Sequence, residues 1–369
     1  MRGYTPATME YGVIMAGGLG TRLWPLSRSK TPKQLLNVKK DKSLLQLAFD
    51  RLAGVLPPER IYVCTAEAHR AAVLENLPQL PPENLLGEPE PRDTANAVGF
   101  PAAVLHKKDP DAVFAIVTAD HVIEPVETFQ ACMRTAFDTL KSHPKSLVTF
   151  GIVPTHGHTG LGYIQRGEPL GENGVYQVLA FKEKPDKPTA DRYVESGRFY
   201  WNSGMFVWRA DTVLAQLAAY LPQSYQGLTK IAEAWGTPNQ NKVLSELYPR
   251  LPKISIDYAV LEPAGQQKAV IVVEMPVNWI DVGSYPSLAE TLDVDAHDNS
   301  IQADKLVTLD SDGNIIVSKD PNHLITTIGV NDMIIVHTPD ITLICPQADS
   351  QRVKELVAKV KEQYGEQFL

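Results

Sequence analysis

Over residues 11 to about 150, short β-branched runs alternate with longer segments of helical period, the pattern of βαβ units that build a parallel sheet. Residues 13–16 (VIMA), 61–65 (IYVCT) and 113–118 (VFAIVT) read as buried strands because they are short, apolar and bounded by loop residues. Between them, Ser43 can cap a helix carrying Leu44, Leu47, Ala48, Leu52 and Val55, and Asp93 or Thr94 can cap another that runs to His106. Right-handed crossovers close such units into a doubly wound sheet, with ligands beyond the carboxyl ends of its strands.

From residue 146 to 281 the pattern is mixed, with strands at 146–153, 175–181 and 269–273 and helices at 211–221 and 241–248, and it reads as an elaboration that covers the sheet. After about Asp293 the helical period disappears. Short strands recur at 305–309, 315–318, 325–328, 333–336 and 342–344, with SDGN, KDPN, GVND and HTPD in their turns, which describes a small all-β unit. A last amphipathic helix places Val353, Leu356, Val357, Val360 and Tyr364 on one face. The expected organisation is therefore an α/β unit over 1–293 and a β-rich unit over 294–369. No low-complexity linker separates them, so they are expected to pack together.

The charge balance narrows the partners. With 35 Lys+Arg against 43 Asp+Glu the net charge is -8, which argues against nucleic acid or an anionic membrane as a partner. Residues 11–40, however, contain Arg22, Arg28, Lys30, Lys33, Lys39 and Lys40 and no acid, leaving 29 cations against 43 acids in the other 339 residues. That distribution suits one compact polyanion. Cys64, Cys132 and Cys345 form no CxxC pair, so small buried residues are expected, not a disulfide or zinc framework. No apolar leader or run of about eighteen apolar residues is visible, so a soluble, reduced, cytoplasmic setting is expected.

The basic run belongs to a longer motif, residues 15–34, MAGGLGTRLWPLSRSKTPKQ. Gly17, Gly18 and Gly20 allow a sharp turn and close approach of backbone N–H groups to phosphate. The spacing is neither GxGxxG nor a P-loop ending in GK[ST]. The motif resembles the signature loop of the sugar-1-phosphate nucleotidylyltransferases, and its WPLSR-x3-PKQ form is similar to that of the mannose-1-phosphate guanylyltransferases. The resemblance implies a nucleotide-diphospho-sugar transferase fold: a Rossmann-like mixed sheet with a short C-terminal unit like a left-handed β-helix. It also implies that Ala16, Gly17, Gly18, Gly20 and Thr21 wrap the nucleoside triphosphate, while Arg22 and Lys33 act on its phosphates and the developing pyrophosphate.

Further segments follow in the family's order. In Thr118-Ala-Asp120-His121 an Asp at the carboxyl end of a strand suits Mg²⁺ as well as a simple turn cap; the resemblance makes Asp120 a metal ligand beside the nucleotide. Asp281, in Trp279-Ile-Asp281-Val-Gly283-Ser284, becomes the second carboxylate, although an Asp there could equally cap the next helix; Tyr285 stands where many relatives carry Trp. In Phe181-Lys-Glu-Lys-Pro185, Glu183 and Lys184 read alone as solvated charges; the resemblance puts Lys184 on the sugar phosphate and Glu183 on sugar hydroxyls. Asn202, in YWNSGMFVW, is implied as another hydroxyl partner, with Gly162 and Tyr163 lining the sugar pocket and Met205, Phe206 and Trp208 in the core. Arg92, Asp93, Thr94 and Asn96 resemble the segment beside the base, with Asn96 where Pro is commoner. Ile256-Asp257-Tyr258-Ala259-Val260, with Glu262, reads mainly as a helix supporting the site.

The reaction so implied is GTP plus α-D-mannose 1-phosphate giving GDP-mannose and pyrophosphate, with one Mg²⁺ and direct in-line attack of the sugar phosphate on the α-phosphorus. Alternatives are the same chemistry on another NTP or sugar 1-phosphate, or a non-catalytic GDP-mannose-binding regulator. The regulator would be marked by decayed phosphate and metal residues, yet all are present. The tail after Asp293 has no His-rich cluster, so the isomerase fused to some relatives is not expected. A homodimer, with the β unit at the contact, is expected.

Overall fold

The computed structural model describes residues 9–18, 20–39, 42–171 and 174–369; Lys40 of the basic run lies outside them. Its first four sheet strands, β1 (Glu10–Ala16), β2 (Ile61–Ala66), β3 (Leu85–Glu88) and β4 (Val113–Thr118), run parallel in the order β3-β2-β1-β4. The chain winds outward from β1 to β3 and returns to β4 on the other side of β1. This leaves a switch point, and so a crevice, at the carboxyl ends of β1 and β4. Alternation along β4 explains why it is continuously apolar: Val113, Ala115 and Val117 face one core, Phe114 and Ile116 the other.

Residues 146–281 extend the sheet instead of covering it, which corrects the expectation. They supply β5 (Leu147–Ile152), β6 (Tyr163–Pro169), β7 (Val175–Lys182), β8 (Phe199–Arg209) and β9 (Val270–Met275), continuing the order as β4-β8-β5-β9-β7-β6. Strand β8 was hidden in the sequence by its polar interruption, Asn202-Ser203-Gly204. There the register to β5 shifts and Gly204 takes φ 66, a β-bulge of the kind that re-aims side chains. Residues 206–209 pair with β4, whereas Phe199, Tyr200 and Trp201 pair with β6.

Helix Leu44–Ala53 starts as read, with Ser43 accepting from the Gln46 N–H in a capping box. Helix Asp93–Lys108 does not: Asp93 stands at φ 60, its carboxylate accepts only from the adjacent Thr94 N–H, and the Thr94 hydroxyl accepts from the Ile256 N–H. The helix start is thus tied to the segment before Asp257 and not capped by its own side chains. Cys64 is buried as expected, while Cys132 and Cys345 are only partly so. Among the described residues no helix is long and apolar enough to cross a membrane.

In the C-terminal part, Ser300–Gln302, Ile315–Ser318 and Met333–His337 stack in parallel, as do Leu306–Leu309 and Ile325–Ile328. Ile316 pairs with Ile335 and Leu306 with Ile325, each nineteen positions on, the coil repeat of a β-helix. The terminal helix Val353–Tyr364 buries Val353 and tucks Val357 and Val360 inward, but Leu356 and Tyr364 stay exposed. Its buried stripe is narrower than expected, and Tyr364 at its free end packs edge-on against Phe368.

This part shares a core with the glycine-loop segment. Leu23, Trp24 and Leu26 pack in one cluster with Ile280, Val282 and Tyr285 and with Ile315, Val317, Ile334, Val336 and Val353. Arg28 forms a fork on Asp340 at 2.6 and 2.7 Å and reaches Thr338 at 3.0 Å. Arg28 is therefore committed to the β unit and not to the crevice. The Trp24 indole donates to the Phe368 carbonyl at 2.8 Å.

Candidate active site

The carbonyl of Ala16, at the end of β1, accepts from Gln34 Nε2 and Thr65 Oγ1, both at 2.8 Å. Where the chain turns, Gly18 and Gly20 take φ 94 and 62, which L side chains rarely adopt. A Cβ at Gly20 would stand 2.6 Å from the Lys33 Cβ, so this glycine lets the loop lie against the lysine stem. Thr21 and Arg22 open a short 3₁₀ turn and are exposed.

Lys33 closes the crevice from its other side. Its ammonium pairs with Asp120 just past β4. Burial would lower the Lys33 pKa, but the carboxylates of Asp120 and Asp281 hold it above the usual lysine value, with Arg22 near enough to oppose them. Burial likewise pushes Asp120 up, and Lys33 and His121 overrule it, leaving the carboxyl below the ordinary range. The two are an ion pair at neutral pH.

Asp120 and Asp281 are far apart in sequence and are joined by an antiparallel ribbon, His121–Glu124 against Asn278–Asp281, in which Asp281 pairs with His121. The Val282 N–H adds a bond to the Asp120 carbonyl at 3.0 Å. One ligand atom from each of Asp120, His121 and Asp281 lies within 4.8 Å of the others. The Trp279 indole N–H donates to His121 Nδ1 at 3.1 Å. Since an indole only donates, Nδ1 must carry a lone pair and Nε2 the hydrogen, in keeping with the burial that lowers the imidazole pKa. His121 is then a donor beside the acids, and two carboxylates remain as hard oxygen ligands. That set fits a magnesium-type ion completed by phosphate and water.

From this acidic corner a cleft of about 470 Å³ runs along the ends of β4, β6, β7 and the β8 bulge. It brings together Asp120, Gly162, Tyr163, Glu183, Lys184, Asn202 and Asp281. A Cβ on Gly162 would meet Glu183 Oε2 at 2.9 Å, so this glycine lets the Glu183 carboxylate lie against the backbone. Lys184 pairs with Glu183 at 2.9 Å, and that bond raises its pKa. The Tyr163 hydroxyl is spent on the His158 backbone, so Tyr163 contributes a wall and no free donor. The segment expected beside the base stands outside this cleft: Arg92 pairs with Glu90, and Asn96, fully buried, donates to the Arg92 and Pro252 carbonyls. Ala16, Gly17, Gly18, Gly20, Thr21 and Arg22 also border the crevice without lining the cleft itself.

Several lining residues were not legible as functional. His121 and Trp279 sit inside recognised motifs, and the signal for them is the ribbon pairing, which only the fold supplies. Asp257, in the segment read as mere support, points its carboxylate at Asn202, whose Nδ2 donates to it at 3.0 Å.

Comparison with known proteins identifies the family. Residues 11–297 match the family model described as nucleotidyl transferase, and residues 304–360 match a MannoseP isomerase/GMP-like beta-helix domain. A mannose-1-phosphate guanylyltransferase of Escherichia coli K12 is 39% identical over 360 residues, covering 95% of this chain and 73% of the relative. Another, RfbM of Salmonella typhimurium, is 39% identical over 357 residues, with 95% and 72% covered. Among solved structures, a Thermus thermophilus protein described as a mannose-1-phosphate geranyltransferase superposes with a TM-score of 0.84 at 31% identity, covering 95% of this chain and 99% of that one. By its sequence over nearly its whole length and by its fold, this chain belongs to the nucleotidyl transferase family, within the branch of the mannose-1-phosphate guanylyltransferases.

Proposed function

We propose that this chain is a cytoplasmic enzyme that transfers GMP from GTP to α-D-mannose 1-phosphate, releasing pyrophosphate and forming GDP-mannose. The observation that carries the reading is the convergence of Lys33, Asp120 and Asp281 at the switch point, next to a glycine loop and at one end of a sugar-sized cleft. The names of the relatives support the same substrates.

The attacking oxygen belongs to a phosphate and is anionic at neutral pH, so no side chain need remove a proton. What the protein must do is assemble polyanions in line and neutralise them. The glycine loop offers N–H groups to the triphosphate, Arg22 and Lys33 stabilise the departing pyrophosphate, and Lys184 seats the attacking phosphate. Glu183 and Asn202 accept and donate hydrogen bonds at the sugar, and of the segment expected beside the base only Arg92, Asp93 and Thr94 are exposed enough to border it. Asp120 and Asp281 are the residues that would hold Mg²⁺, whose contribution when bound is to screen charge on phosphate oxygens. Replacing Lys33 or Asp281 by Ala is expected to lower turnover roughly a hundredfold or more, as for the loss of one preorganised electrostatic partner.

Pyrophosphate release from a panel of NTPs and hexose 1-phosphates tests the reading. Preference for GTP with mannose 1-phosphate supports it, and preference for another pair reassigns the substrates. A homodimer through the β unit is proposed alongside, because Val307, Leu309 and Ile328 face outward from its two-stranded sheet. A monomer by light scattering would overturn it.

A further inference from the structure

The sugar end of the cleft contains a carboxylate that the reaction above leaves without a task. Asp257 opens a π-helical turn, Asp257–Leu261, a rare widening that is frequent at functional sites. It lines the cleft with Gly162, Glu183 and Asn202. Its Oδ1 accepts from Asn202 Nδ2 at 3.0 Å, while Asn202 Oδ1 accepts from the Gly204 N–H at 3.3 Å. The Asn202 amide is therefore held at both ends, its nitrogen toward Asp257. Among the described residues no cation pairs with Asp257, and burial pushes its carboxyl up.

A partly buried carboxylate without a cation repels phosphate and suits a neutral donor. In a cleft that takes a sugar phosphate, the available neutral donors are ring hydroxyls. We propose that Asp257 is a specificity-determining residue that accepts a hydrogen bond from one hydroxyl of the hexose, with Asn202 fixing its orientation. The proposal rests on the sugar 1-phosphate reading above. Its consequence is asymmetric. A hexose lacking that hydroxyl, or presenting it elsewhere, leaves one oxygen of this partly buried carboxylate without a donor and is rejected more strongly than shape alone would require.

The test is a cycle between protein and substrate. Pyrophosphate release is measured for wild type, Asp257→Ala and the isosteric Asp257→Asn with the preferred hexose 1-phosphate and its monodeoxy analogues, melting temperatures being recorded for each. In wild type one deoxy analogue should lose roughly ten- to a hundredfold in kcat/KM, as expected for a hydrogen bond to a charged group. Asp257→Ala should lose a similar factor with the parent sugar, chiefly in the KM for sugar phosphate and little in that for GTP, and lose nothing more with that analogue. If the variants penalise every analogue by the same factor as wild type does, Asp257 touches no hydroxyl and the proposal falls. Should Asp257→Ala not fold, Asp257→Asn carries the same comparison. If wild type releases pyrophosphate with no hexose 1-phosphate, the functional reading has failed. The cycle is then read as hexose 1-phosphate affinity by calorimetry, where equal analogue penalties or no binding overturn the proposal.

Discussion

Gly17 separates what the fold needs from what a ligand needs. Unlike Gly18 and Gly20 it does not take a positive φ, and a Cβ built on it meets nothing within 4 Å. Gly17→Ala should therefore melt within about 0.5 kcal/mol of wild type yet raise the KM for GTP about tenfold or more, because the methyl fills space kept for the nucleotide. Gly20→Ala is the contrasting case. It forces an L residue into the left-handed region at about 1–2 kcal/mol and pushes on the Lys33 stem, so unfolding in urea should shift and kcat should fall together. Such pairs explain what could be read from sequence at this scale. A glycine-rich turn, a basic run and an Asp at a strand end are visible as residue types. Which cation faces the crevice is not, since Arg28 is held by Asp340 and Lys33 by Asp120.

Among the elements, the ribbon of His121–Glu124 and Asn278–Asp281 does most to assemble the site, since its register, with the Val282 N–H bond to the Asp120 carbonyl, sets Asp281 beside Asp120. Trp279→Phe keeps the aromatic contact with His121 and removes the indole donor that fixes its tautomer. The loss of one hydrogen bond is worth about 0.5–1.5 kcal/mol, so kcat should fall about two- to tenfold with little change in melting temperature; unchanged kcat would detach the tautomer from the chemistry. The parallel strands were legible because βαβ periodicity is local. The ribbon and β8 were not: the two ribbon strands lie far apart in the chain and only their pairing joins them, and Asn202-Ser203-Gly204 breaks the alternation of β8 where the bulge turns Asn202 toward Asp257.

In the whole molecule, the β-rich tail forms the far wall of the segment that carries the glycine loop. Removing residues 294–369 would uncover Trp24, Leu26, Ile280 and Val282, all now buried. The truncated chain is expected to be inactive and prone to aggregate, and a soluble, fully active fragment would contradict the shared core. The Arg28 fork adds a pH signature. By hydrogen bonding and charge it holds the Asp340 carboxyl down at about 2, against an ordinary 3.8. A depressed carboxyl contributes stability above its unfolded pKa and loses it as pH falls through the folded one. The difference in melting temperature between wild type and Asp340→Asn should be present at pH 5 and vanish as pH falls from about 4 toward 2. It should also be small, because the pair is partly solvated.

The most direct measurement follows both products from GTP with and without mannose 1-phosphate in the presence of Mg²⁺. Without the sugar phosphate no pyrophosphate should be released, and with it pyrophosphate and GDP-mannose should appear in equal amounts from the first turnover. Release of pyrophosphate from GTP alone, or binding of GDP-mannose with no turnover in either direction, would contradict direct transfer at this site.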